Sequence, residues 1–180
     1  MKNLLLYTLF LFALCSCNKK IDELPAPTQT GANTFGAKVN GRLWAPQGFG
    51  IAPTAPLLQA SWAAQGGILH IVARNFGSSP TETEMELYLE NVTAPGTFLL
   101  NAATQKYPQQ TASYGYFIER RFMPRNEWIT GPQNTGSVTI THFDPVQKIV
   151  SGTFHFSAAS TDNTAAAMLV EEGRFDVRFE

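Results

Sequence analysis

Between Thr83 and Glu90 the chain alternates without a fault, with Met85, Leu87 and Leu89 on one side and Glu84, Glu86, Tyr88 and Glu90 on the other. A period of two belongs to a strand with one buried and one wetted face, because successive side chains of an extended chain point to opposite sides. The pattern recurs along the chain. Thr34 to Pro46 (TFGAKVNGRLWAP) contains Asn40-Gly41, a dipeptide suited to the positive φ that a type I′ hairpin turn demands at both central residues. Pairing across that turn sets Val39 opposite Arg42 and Ala37 opposite Trp44, so that Phe35, Ala37, Val39 and Trp44 share a core-facing side.

Further strands follow by the same reasoning. Leu57 to Ala63 and Ile68 to Arg74 flank Gln65-Gly66-Gly67 as a second hairpin, Pro95-Gly96 opens a short strand through Leu100, and Ser113 to Glu119 forms another. Ser137 to Phe143 leads through the turn Asp144-Pro145 into Lys148 to Ser157, and Gly173 to Phe179 closes the chain with Phe175, Val177 and Phe179 alternating against Arg174, Asp176 and Arg178. The segment Thr164 to Val170 could be a short helix or one more strand. Many short strands with frequent turns predict an all-β fold, an antiparallel two-sheet β-sandwich, with a calycin-like closed barrel as the alternative.

Composition narrows what such a domain can bind. Of 180 residues 44% are hydrophobic and 15% charged, which argues for a packed core. The formal net charge is −1, and loss of Lys2 with the leader makes it −2. A nucleic-acid partner is not expected, since phosphate binding needs a clustered excess of Lys and Arg and only Arg120-Arg121 with Arg125 come close.

The two cysteines, Cys15 and Cys17, both precede the strand-rich part. Met1-Lys2-Asn3 is a short basic start and Leu4 to Leu14 (LLLYTLFLFAL) an apolar run of eleven residues, too short to span a bilayer, which takes about 20, and right for a signal peptide. Leu14-Cys15-Ser16-Cys17 resembles a bacterial lipobox, with Leu at −3, a small residue at −1 and the obligatory Cys at +1. The resemblance implies cleavage after Ser16. The Cys17 thiol would then carry diacylglycerol as a thioether and its freed amine a further acyl chain such as palmitate, and two or three chains together make a stable anchor.

The expected organisation is therefore a lipoprotein signal peptide at 1–16, a lipidated Cys and flexible tether at 17–33, and a single all-β domain at 34–180. The tether NKKIDELPAPTQTGAN has no apolar period, and Pro25-Ala26-Pro27 keeps it extended. As a flexible coil it would reach about 20 to 25 Å. Lys19-Lys20 with Asp22-Glu23, interrupted by Ile21, resembles the charged export signals of Bacteroidota surface lipoproteins. The expected location is the cell envelope, as an outer-membrane lipoprotein, with the periplasmic or surface side left open.

Taken with the lipobox and the Leu24-Pro25 linker, Thr34 to Pro46, Gly136 to Phe156 (GSVTITHFDPVQKIVSGTFHF) and Gly173-Arg174-Phe175-Asp176-Val177 resemble Bacteroidota lipoproteins grouped as an uncharacterised domain family. That resemblance implies lipid anchoring and a β-rich fold, and no activity, cofactor or site residue. Gly152 between Ser151 and Thr153 reads as a bulge or a close backbone approach, with phenylalanines on either side in the core.

No cluster calls for catalysis or a metal. His70, His142 and His155 lie in separate alternating strands without zinc-site spacing, His142 with Asp144 lacks a nucleophile and Asp144-Pro145 is a turn, and Glu84, Glu86 and Glu90 read as the exposed face of one strand. Asn91-Val92-Thr93 is a sequon without expected use. The aromatics leave more room: Trp44 and Trp62 read as core, whereas Trp128, in the polar loop after Pro124-Arg125-Asn126-Glu127, and Tyr114 with Tyr116 on one strand face are the candidate ligand-binding residues. The expectation is a non-catalytic, cofactor-free binding or structural module, held to the membrane through Cys17 and open to a glycan, peptide or protein partner. The alternative is a carrier of a small apolar ligand in a barrel cavity.

Overall fold

A computed structural model describes residues 22–48, 55–77, 82–120 and 126–180. Cys15, Cys17 and the leader lie outside the described residues, as do Phe49, Arg121 and Arg125. The described residues contain no helix and eleven strands: β1 (Thr34–Val39), β2 (Arg42–Trp44), β3 (Leu58–Ala63), β4 (Ile68–Asn75), β5 (Glu82–Leu89), β6 (Gly96–Leu99), β7 (Tyr114–Arg120), β8 (Asn126–Ile129), β9 (Gly136–Asp144), β10 (Ile149–Ser160) and β11 (Met168–Arg178). They pair antiparallel in the order β2-β1-β11-β10-β8-β7-β5-β4-β3, with β9 on β10 and β6 on β9.

The long strand β10 joins the two halves. One edge holds β11, while the other holds β9 as far as Phe156 and then β8 at Ala159 and Ser160. The sheet curls into a half-barrel, so that its ends approach. The backbone of β3 meets the C-terminal end of the chain through Trp62 N–H to Glu180 O and Glu180 N–H to Ala60 O, each 3.1 Å, and Gln47 beyond β2 bridges to Asn75 at the end of β4. The all-β antiparallel fold expected from the sequence is the one observed.

The hairpins follow from local chemistry. Asn40 and Gly41 take φ of 48° and 76°, and Ala37 pairs with Trp44 and Val39 with Arg42, the register read from the Asn-Gly turn. Gly66 and Gly67 supply positive φ between β3 and β4. At Gly67 a β-carbon would stand 2.7 Å from the Val92 backbone nitrogen, so that turn accepts no side chain. At Gly152 the register of β9 and β10 shifts, leaving Thr141 unpaired, and a β-carbon there would lie 2.4 Å from the Thr139 carbonyl oxygen. The bulge expected at this glycine is present. Thr164 to Val170 forms no helix, and Met168 to Val170 starts β11, whose register breaks at Glu172-Gly173 against β1 and at Glu171-Glu172 against β10.

One core fills the inside of the curl. Phe35 and Trp44 from one half meet Phe154 at 5.0 Å and Phe117 at 6.1 Å, and Trp62 of β3 meets Phe143 of β9 at 5.3 Å. Met85, Leu87 and Leu89 are fully buried, as their alternation requires. Each such apolar side chain contributes about 1.5–3 kcal/mol on burial, which makes the core the main source of stability in a domain without disulfides.

Three expectations are corrected. Trp128 does not sit in a polar loop: it lies in β8, 4% exposed, with its indole N–H donated to the Ala166 carbonyl at 2.8 Å. Glu84 and Glu86 do not form a wet face, each being 3% exposed. The stretch read as tether is not free over its whole length, since residues 25–33 are bound to the outside of the sheet. There Asp176 is 1% exposed and accepts the backbone N–H groups of Thr30, Gly31 and Ala32 and the hydroxyls of Thr28 and Ser151 at 2.6–3.1 Å. Arg174 donates to the Pro25 carbonyl, and the Pro25 ring takes the space over Gly36 that a β-carbon would need.

Candidate functional site

The outer face of β4, β5 and β7 carries a dense cluster of polar side chains. Alternation puts His70 and Arg74 on that face of β4, Glu84, Glu86 and Tyr88 on β5, and Tyr114 and Tyr116 on β7, with His70 paired to Tyr88, Arg74 to Glu84 and Glu86 to Tyr116. Such a face would ordinarily be wet. Here the connection from β6 to β7 covers it through Lys106, Tyr107 and Gln110. Lys106 reaches down to Glu86 at 2.6 Å and Glu84 at 3.5 Å, the Tyr107 N–H donates to the Tyr114 hydroxyl at 3.0 Å, and the Gln110 amide donates to the Tyr88 hydroxyl at 3.0 Å.

Beneath that cover every carboxylate is paired. Glu84 receives Arg74 at 2.7 Å and Arg120 at 2.9 Å; Glu86 receives His70 and the Tyr114 hydroxyl, each at 3.2 Å. Burial alone would raise the Glu86 pKa, but hydrogen bonds from His70 and Lys106 and their charges outweigh it and lower it to about 2. Burial pushes the Tyr114 phenol up, reinforced by the Glu86 charge, and pushes Tyr116 up with help from Glu127. Both stay protonated at neutral pH. Tyr88 and Tyr114 stack at 5.3 Å, and Lys106 stands 4.5 Å above the Tyr116 ring. The cluster is thus a latch that fixes the overlying connection, with its ionised groups committed to one another.

His70 and Arg74 also line a groove of about 620 Å³ between the outer face of β3 and β4 and the chain end at Arg178 to Glu180. Tyr107, 53% exposed, packs its ring 5.3 Å from that of His70, which lines the groove.

The candidate ligand-binding residues do not come together. Tyr114 and Tyr116 are buried in the outer cluster, whereas Trp128 points into the core and packs against Phe117 at 6.1 Å. The pairing of Phe117 with Trp128 and of Tyr116 with Ile129 explains the separation, since neighbours in one strand face opposite ways. His142 and His155 lie on β9 and β10, away from His70 on β4, and Asp144 caps its own turn by accepting the N–H groups of Val146 and Gln147. Among the described residues no group of three or more His, Cys, Asp or Glu is placed to hold a metal ion. Sequence reasoning passed over Lys106 and the groove residues Gln59 and Ser61. The alternation of β3 and β4 was the available signal, because it sets Ser61 opposite His70 and Gln59 opposite Val72 on one outer face.

Residues 55–177, spanning β3 to nearly the end of β11, match the model of a domain family of unknown function, DUF6252. The chain belongs to the DUF6252 family. No curated protein and no solved structure matches it. The DUF6252 match begins after β1 and β2, although β1 pairs with β11 over five residue pairs and supplies Phe35 and Ala37 to the core. In this member the folded unit therefore extends beyond the matched residues.

Proposed function

We propose that this DUF6252 chain is a cell-envelope lipoprotein, held at the outer membrane by acyl chains on Cys17, whose β domain has a binding or structural role and no catalytic one. The observation that carries the reading is the run Leu14-Cys15-Ser16-Cys17 behind an eleven-residue apolar stretch. Docking of residues 25–33 on Asp176 supports it, because a lipid on Cys17 would then hold the domain close to the bilayer through few free residues. The non-catalytic role is supported by the outer cluster, where Glu84 and Glu86 are consumed by Arg74, Arg120, Lys106 and His70. The aromatic rings that meet across the interior favour this reading over a carrier with an apolar cavity.

Growth of expressing cells with an alkyne-bearing palmitate tests the anchor. The wild-type chain and Cys15→Ser should take up label and sediment with membranes, while Cys17→Ala should do neither. Label retained by Cys17→Ala would overturn the assignment.

A further inference from the structure

The groove beside the latch carries chemistry of its own. Its walls present the amides of Gln59 and Asn33, the hydroxyl of Ser61, two guanidinium groups from Arg74 and Arg178, and the carboxylate of Glu180. The cations are already engaged: Arg74 is paired with Glu84 at 2.7 Å and also donates to Gln59 and the Pro56 carbonyl, and Arg178 donates to the Thr30 and Gln147 carbonyls, each at 3.3 Å. Beneath these groups the lining is apolar, where the buried Val72 and Phe179 underlie it. At about 620 Å³ its size is that of a small-molecule site, commonly around 300–1,000 Å³.

Tyr107 completes the arrangement. Its ring contacts His70 at 5.3 Å and Tyr88 at 6.5 Å, and its backbone N–H is tied to the Tyr114 hydroxyl, yet half of it faces water. A half-exposed aromatic ring packed on a groove-lining residue is a low-entropy platform for a ligand with a flat apolar face. The side-chain oxygen of Gln59 already accepts from Arg74 at 2.7 Å and that of Asn33 from the Arg178 backbone N–H at 2.9 Å, which leaves their NH2 groups and the Ser61 hydroxyl for a ligand, while the engaged cations call for no charged partner. An extended peptide would need the outer edge of β3, and Glu180 already takes the backbone groups of Ala60 and Trp62 there. We propose that this groove binds a neutral oligosaccharide, with one sugar ring stacked on Tyr107 and its neighbour hydrogen-bonded among Gln59, Ser61 and Arg178. The proposal rests on reading the domain as a binding module.

The test uses the full chain in detergent micelles against immobilised neutral hexose and N-acetylhexosamine oligosaccharides of roughly two to six units, a span set by the groove volume. At least one class should be retained, with affinity falling roughly tenfold or more in Tyr107→Ala and in the exposed-face double variant Gln59→Ala, Ser61→Ala, both keeping the wild-type melting profile. Should Tyr107→Ala fail to fold, the double variant alone decides. Retention of no neutral saccharide, equal retention by the variants, or binding confined to acidic saccharides or peptides would overturn the proposal. Lipid labelling of Cys17 is read separately, so failure of the groove and failure of the anchor are distinguishable.

Discussion

At Glu86 and Asp176 a strand position that alternation assigns to water holds a buried carboxylate, and each is stabilised by donors from elsewhere in the chain. The sign of the pH effect follows. The pKa of Glu86 is lowered from 4.5 to about 2, so the unfolded chain binds its proton more tightly, and the stability it contributes is complete above 4.5 and lost as pH falls toward 2. For Asp176 burial raises the pKa, but the hydrogen bonds from Thr28, Ala32, Ser151 and Thr30 outweigh it and hold it below 3.8, so its contribution too is lost in acid. Urea midpoints should therefore fall between pH 5 and 3. Glu86→Gln should lose about 2 kcal/mol at pH 7, less than a fully buried pair because Lys106 is a third exposed, and should flatten the acid slope. An unchanged slope in the variant would remove Glu86 from the account. Asp176→Ala should cost about 2–4 kcal/mol by orphaning three N–H groups. It should also open residues 25–33 to limited proteolysis, where the parent resists.

At the scale of elements, what the sequence made legible was what is set over short range. The Asn40-Gly41 and Gly66-Gly67 hairpins and the Asp144-Pro145 turn carry their geometry in two or three residues. β8 was hidden because Asn126 to Ile129 has four residues and no long alternation, and its partners are β7 and the far end of β10. Residues 25–33 were hidden for a related reason: they are held by hydrogen bonds to Asp176, more than 140 positions away, and by the fit of Pro25 on Gly36. Local alternation placed Glu84, Glu86, Tyr114 and Tyr116 on the correct face but could not announce the connection that covers it. Two predictions belong here. Gly152→Ala should destabilise by at least about 2 kcal/mol, because a β-carbon 2.4 Å from the Thr139 carbonyl must part β9 from β10, and a denaturant midpoint equal to the parent's would refute that. A chain cut to residues 55–180 loses β1, β2 and the docked segment. It should lack a cooperative melt, whereas a chain beginning at residue 22 should keep one.

For the whole molecule, the absence of cysteine after residue 17, the docked segment and the committed charges of the latch belong together if Cys17 is the point of attachment. Among the described residues the groove between β3 and the chain end is a surface feature with mixed chemistry beside the latch. Attachment through Cys17 is decided by mass spectrometry of the N-terminal peptide from membrane-extracted protein. That peptide should begin at Cys17 and carry a diacylglyceryl thioether with an added acyl chain; an unmodified Cys17, or a chain that begins elsewhere, would rule the attachment out.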